Sequence, residues 1–355
     1  YAQYAPFFAV NHLDAYWFGT EYYKGHNAWA DGAIIIPYLM YKKYNDTRML
    51  EEYYDNMKRW IYFQEANSDN LLRCSCVWRD WLNHNDPTSE TLISTAFFAY
   101  GTKLMAKIAG IIGKENDVEE FEKLYEAIRN AFCNKFITAS GKVSENSQTA
   151  ALLVLEFELA PENCRKAIFA QLVDNIVANG NRLSTGFLGT PFLLPVLTKF
   201  GRVDLAYTLL QQKEFPSWLY PVLQGATTIW ERWNGYTVEN GILPQPMNSF
   251  NHYAYGAAAS FLYEVVGGIR MDEKTIGFRH FIIAPIPGGD LTEAETVYNS
   301  PYGKISTKWN RKNNKVNLHV NIPANTSATL QLPGMADQEL GSGEYDFIFS
   351  DKKDK

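Results

Sequence analysis

Between about residues 26 and 267, apolar residues recur three and four positions apart, and each run stops at a short polar turn before another begins. In residues 46–64, DTRMLEEYYDNMKRWIYFQ, the spacing of Leu50, Tyr54, Met57 and Ile61 predicts a helix with one buried face, and Asp46 or Thr47 can cap it. A second stripe, Phe97, Tyr100, Leu104, Ile108 and Ile111, follows the helix-start signal Asp86-Pro87. Its successor carries Val118, Phe121, Tyr125, Ile128 and Phe132. The segments QTAALLVLEFEL with NCRKAIFAQLVDNIV, and TPFLLPVLTKF with DLAYTLLQQ, continue the theme. Helical hairpins repeating every ~50 residues predict stacked helix pairs, either an open solenoid or a closed α/α toroid.

After Gly267-Gly268 the period changes from helical to two. Val316, Leu318, Val320 and Ile322 alternate with polar residues in KVNLHVNI, and KISTKW and SATLQL behave alike, with turns RKNNK and PANTS between them. This predicts a small antiparallel β-sandwich over 268–355, after a mainly α domain over 26–267. Residues 1–25 have no clear period and read as an extended, aromatic-rich lead segment.

Composition narrows the function. A chain of 355 residues exceeds the roughly 250–300 at which single cores stop growing, in agreement with two domains. The net charge of −6, without a lysine or arginine run, argues against a nucleic-acid partner. The apolar run GAIIIPYLMY is too short to span a bilayer and is broken by Pro37, so the reading is a soluble chain, cytoplasmic or periplasmic, with no membrane partner. Cys74, Cys76, Cys133 and Cys164 match neither a zinc-site spacing nor a disulfide framework; the pattern predicts buried thiols and no metal.

Two long connections remain to carry chemistry. One contains LLRCSCVWRDWLNHN; the other runs from EFPSWLY through GATTIWERWNG to SFNHYAYG. In GATTIWERWNG, Glu231 stands between Trp230 and Trp233. An acid among tryptophans suits a sugar cleft, where rings stack on the pyranose and exclude water. The alternative is a carboxylate paired with Arg232 or with a backbone amide at a loop corner.

These stretches, together with STGFLGTPFLLPVL and the tail GFRHFIIAPIPGGDLTEAETVYNSPYGKISTKW, resemble the bacterial α-L-rhamnosidases, a family of inverting glycoside hydrolases. The resemblance implies an (α/α)6 toroid, hydrolysis of terminal α-L-rhamnosides, a rhamnose-containing glycoside or polysaccharide as partner, and no cofactor. It implies that Glu231 is the general base, that His252 binds the sugar, and that Trp29 and Trp81 line the rhamnose pocket. Asp31 and Asp80 beside them, and Trp230 and Trp233 beside Glu231, complete the expected substrate-binding set. His12, His26, His84, His280 and His319 receive no role.

Two departures stand out. The family pattern has a glycine where Arg79 stands in VWRDWL. The family's acidic motif carrying the general acid is not found before Trp29, and the pattern yields about nine or ten helices where the toroid has twelve. The expectation is therefore a chain resembling the base-bearing C-terminal part of a longer enzyme. The alternatives are another toroid glycosidase with a different sugar, or a carbohydrate-binding fragment that lacks the acid.

Overall fold

The computed structural model describes residues 25–76 and 78–350, so the lead segment expected over 1–25 lies, apart from Gly25, outside the described residues. Chain contacts divide the described part into two compact units, residues 25–38 with 47–256 and residues 39–46 with 257–350. The division precedes the change of period at Gly267-Gly268 for a physical reason: the chain just before that switch is already bonded into the second unit. The Trp309 indole donates to the Val266 carbonyl at 2.7 Å, and the Ile286 amide donates to Val265 at 2.9 Å.

Eleven α-helices occur among the described residues, three of them five residues or shorter. In chain order the main ones are α1 (Gly32–Tyr44), α2 (Arg48–Glu52), α3 (Tyr54–Ala66), α4 (Glu90–Ile111), α5 (Glu115–Phe136), α6 (Gln148–Glu156), α7 (Glu162–Ala178), α8 (Thr190–Lys199) and α9 (Val203–Leu210). The pairs α4/α5, α6/α7 and α8/α9 are hairpins, and α3, α4, α6 and α8 also touch in succession as an inner layer. That layering explains why α4 and α6 are buried almost all round instead of along one stripe. From Gln148 to Leu155 every residue of α6 is buried, and Ser94, Thr95 and Thr102 of α4 are buried as well. The outer helix α5 keeps the single stripe: Phe121, Ile128, Phe132 and Phe136 are its buried positions.

Local signals differ from expectation at two helix starts. Residues 46–64 form two helices, α2 and α3, parted at Tyr53, and Thr47 precedes α2 without a side-chain capping bond. Ser89 rather than Asp86 caps α4, its hydroxyl accepting from the Leu92 amide at 3.2 Å. Asp86 instead ties connections together, accepting from the Gln148 amide at 2.8 Å and the Ser184 hydroxyl at 2.5 Å.

A two-stranded ribbon, β1 (Tyr236–Thr237) and β2 (Gly241–Ile242), follows in the first unit. The second unit contains β3 (Ile269–Met271), β4 (His280–Ile283), β5 (Glu293–Ser300), β6 (Gly303–Lys312), β7 (Lys315–Ile322), β8 (Ser327–Leu330), β9 (Gln338–Leu340) and β10 (Gly343–Ser350). They form two four-stranded sheets, ordered β10-β7-β6-β5 and β3-β4-β8-β9. Val316, Leu318, Val320 and Ile322 of β7 are buried, as the alternation requires, and Trp309 of β6 is fully buried. Asn313 and Asn314 both take positive φ, 54° and 59°, which suits the tight turn between β6 and β7. All pairings are antiparallel except β4 with β8, which run parallel with His280 opposite Ser327. The chain leaves for the other sheet between these two strands, and that long crossover makes parallel pairing possible.

No described helix is long and apolar enough to cross a membrane. All four cysteines are free, and of these only Cys76 is buried. The expectation of four buried thiols is thus corrected: Cys74 is exposed, and Cys133 and Cys164 on outer helices α5 and α7 are half-buried.

Candidate active site

The stretches around Glu231 and His252 run side by side, cross-linked by backbone hydrogen bonds. The Glu231 amide donates to the Ser249 carbonyl at 2.8 Å, and the His252 amide donates to Ile229 at 2.8 Å. The Ser249 amide then donates to Glu231 Oε2 at 2.9 Å, fixing the carboxylate while the residue stays only 7 % exposed. No donor among the described residues holds Oε1. Pairing with Arg232 does not occur: that guanidinium donates to the carbonyls of Met247, at 2.8 Å, and Pro246, at 3.2 Å.

His252 Nδ1 accepts from the Ala254 amide at 3.2 Å. A neutral ring held this way carries its proton on Nε2, which is left as a donor. The ring lies 5.0 Å from Phe187, whose other neighbours are Trp29 at 6.3 Å and Tyr255 at 5.2 Å. The Phe187 amide donates to the Trp81 carbonyl at 2.9 Å. Phe187 therefore links three of the expected residues: Trp29, Trp81 and His252. Trp29 and Trp81 are half-buried, and Trp81 packs edge-on to Trp78 at 5.1 Å.

Other members of the expected set face the protein instead. Asp80 is fully buried, and its oxygens accept from the amides of Gly186 and Leu188, each at 2.7 Å, from Gly189 at 3.1 Å, and from the Thr149 hydroxyl. Asp31, also fully buried, accepts from Trp60 Nε1 at 2.7 Å, the Ala28 amide at 2.7 Å, Gln64 and Asn27. Burial raises both carboxyls above their ordinary range, while these donors pull the other way. Substrate contact by Asp31 and Asp80 is thus corrected to anchoring, because a carboxylate surrounded by protein donors has no lone pair to offer a ligand.

Trp230 and Trp233 are 7 % and 4 % exposed, as Glu231 itself is at 7 %, and both pack on neighbouring rings. Trp230 packs on Phe250 at 5.0 Å; Trp233 stacks on Tyr255 at 3.8 Å and donates to the Thr185 carbonyl at 2.9 Å. They brace the segment that holds Glu231. Burial pushes the Tyr255 phenol well above its usual range; the Asp80 and Glu231 charges add to this and the Arg232 charge opposes it. Its hydroxyl donates to Leu82 O at 2.9 Å.

Phe187 and Tyr255 lie inside the motifs STGFLGT and FNHYAYG yet were not singled out in the sequence. Their signal was an aromatic residue between small ones in a long connection. Arg79, where the family pattern has glycine, takes a φ of 49°, a left-handed conformation that glycine adopts freely. Gly186 meets a different demand: a Cβ there would sit 2.2 Å from the Trp81 carbonyl oxygen and 2.6 Å from that of Asp80. Gly186→Ala is expected to cost about 1–3 kcal/mol by forcing these backbones apart. Phe187 should move with them, shifting its packing on Trp29 and His252; thermal denaturation and tryptophan fluorescence read the two effects, and unchanged values in both would contradict this account of the loop.

Sequence comparison places residues 7–266 in the bacterial alpha-L-rhamnosidase 6 hairpin glycosidase domain and residues 268–346 in the bacterial alpha-L-rhamnosidase C-terminal domain. The chain belongs to the bacterial α-L-rhamnosidase family. Among its relatives, an alpha-L-rhamnosidase of Formosa agariphila is 41 % identical over 319 residues, covering 87 % of this chain and 34 % of the relative. One of Streptomyces avermitilis is 38 % identical over 343 residues, covering 91 % and 33 %. The chain thus spans about one third of the length of these curated relatives. The crystal structure of Streptomyces avermitilis α-L-rhamnosidase complexed with L-rhamnose matches with a TM-score of 0.87 at 36 % identity, covering 92 % of this chain and 33 % of that one. That of the Aspergillus terreus enzyme matches at 0.84 and 34 % identity, covering 91 % and 39 %.

Proposed function

We propose that this chain carries the base side of an inverting glycoside hydrolase acting on terminal α-L-rhamnosides. The observation that carries the reading is the Glu231 carboxylate: buried, held at Oε2 by the Ser249 amide, and unpaired with Arg232. An inverting base must stay ionised and aimed at one water, and a backbone amide on a single oxygen leaves the other to take the water's proton. His252 Nε2 and the half-buried Trp29 and Trp81 supply a donor and ring faces for the sugar. Rhamnose as the sugar is supported by family membership and by the L-rhamnose complex of the Streptomyces avermitilis relative. A carboxylic acid about 6.5–9.5 Å from Glu231 protonates the leaving oxygen in this scheme.

The stereochemistry tests it. Inversion uses no covalent intermediate, so β-L-rhamnose is the expected first product from an aryl α-L-rhamnoside. Anomeric proton NMR during the first turnovers reads this directly, and release of the α-anomer first would assign Glu231 a different role.

A further inference from the structure

Tyr255 sits where the segments of the site cross. It lies in a short 3₁₀ turn, Ala254–Ala258, shortly after His252, and is 1 % exposed. Its ring stacks on Trp233 at 3.8 Å, on the segment that carries Glu231, and meets Phe187 edge-on at 5.2 Å. Its carbonyl accepts from Trp218 Nε1 at 2.8 Å, and Trp218 packs in turn on Trp233 at 5.6 Å. Its hydroxyl reaches the connection that carries Trp81, donating to Leu82 O at 2.9 Å across 173 positions of sequence. One side chain thus touches the base segment, the Phe187 loop and the Trp81 connection.

The hydroxyl bond falls at a demanding place in the chain. Leu82 takes a φ of 60°, a left-handed conformation that a branched residue keeps only when its surroundings fix it. The Trp81 carbonyl is taken by the Phe187 amide, and the next one, of Leu82, by the phenol. Burial keeps the phenol protonated, so the donor is present at every working pH. The ring fixes Trp233 while the hydroxyl fixes Leu82, so the separation between the Glu231 segment and the Trp81 connection is set by the rigid length of one tyrosine. Proton transfer from a bound water is sensitive to such a separation, and a displacement of about 1 Å can cost ~10²-fold in rate.

We infer that Tyr255 is a positioning residue that sets the Glu231 carboxylate at its working distance from a sugar held against Trp81. The inference rests on the proposed reading of Glu231 as the base. Tyr255→Phe removes the bond to Leu82 and keeps the ring. In the active enzyme, assayed well below the variant's melting temperature, it should lower kcat on an aryl α-L-rhamnoside by about 10- to 100-fold. Rhamnose affinity by calorimetry should stay within about twofold, because the loss lies in the transition state and not in binding. A residue serving only the fold would lower the melting temperature and leave kcat of the folded enzyme unchanged. Because Tyr255 acts through Glu231, the same substitution in a Glu231→Gln background should change the residual rate by less than about threefold. Trp218→Phe, which releases the Tyr255 carbonyl and leaves the phenol intact, should show the same pattern at smaller size, and it carries the test if Tyr255→Phe does not fold. Three results overturn the positioning role and leave the base reading standing: kcat within about twofold of native in the folded variants, equal losses in rate and affinity, or an undiminished loss in the Glu231→Gln background. A Glu231→Gln rate within a few-fold of native overturns the base reading and this inference with it.

Discussion

Glu231→Gln is expected to lower kcat of the active enzyme by about 10²- to 10⁴-fold, the range for losing a positioned proton acceptor. That corresponds to roughly 3 to 5.5 kcal/mol of barrier. The amide oxygen of glutamine can still accept from the Ser249 amide, so the loop and its rings stay in place and rhamnose affinity should change only a few-fold. Initial rates on an aryl α-L-rhamnoside, with rhamnose binding measured alongside, separate the two quantities. A mutant within a few-fold of native in rate would remove Glu231 from the chemistry; equal losses in rate and binding would make it a structural carboxylate.

Asp80→Asn should produce the largest loss of stability among the acidic residues discussed. The carboxylate takes three backbone amides and a hydroxyl in a fully buried site. Asparagine offers one acceptor oxygen, and its NH₂ group faces donors, so at least one buried amide loses its partner. Hydrogen bonds to charged groups contribute about 1.5–3 kcal/mol and an orphaned buried donor costs about 1–3, which together predict a loss of about 3–5 kcal/mol. Chemical denaturation followed by tryptophan fluorescence measures it. A loss below about 1 kcal/mol would show that the loop from Gly186 to Gly189 holds itself in place.

The helical hairpins were legible because their signal is local. Leu50, Tyr54, Met57 and Ile61 are all buried, as their spacing says, and β7 coincides with the alternating run KVNLHVNI. What was not legible depends on partners distant in sequence. Asp31 and Asp80 neighbour the expected pocket tryptophans in the chain, so they read as pocket residues, yet the donors that claim Asp80 lie 69 to 109 residues away. Nothing in the sequence around Asp80 identifies those donors. Trp230 and Trp233 pose a related problem: tryptophan serves as a sugar platform or as packing, and their packing on Phe250 and Tyr255 and the bond to Thr185 depend on residues the local sequence does not point to. The parallel pairing of β4 with β8 was hidden because alternation fixes which face a residue occupies and not which strand lies alongside.

The tie between Asp80 and the loop from Gly186 to Gly189 also bears on the timing of conformational ordering. A loop that carries a ring into a cleft usually loses its freedom when the ligand arrives, and the lost entropy is subtracted from affinity. Here the loop is held as the domain folds, by a carboxylate on a different connection, and Phe187 is set between Trp29 and His252 by that fold alone. The entropic cost falls on folding, where a large core offsets it, so the ring wall proposed for the sugar is ordered in advance.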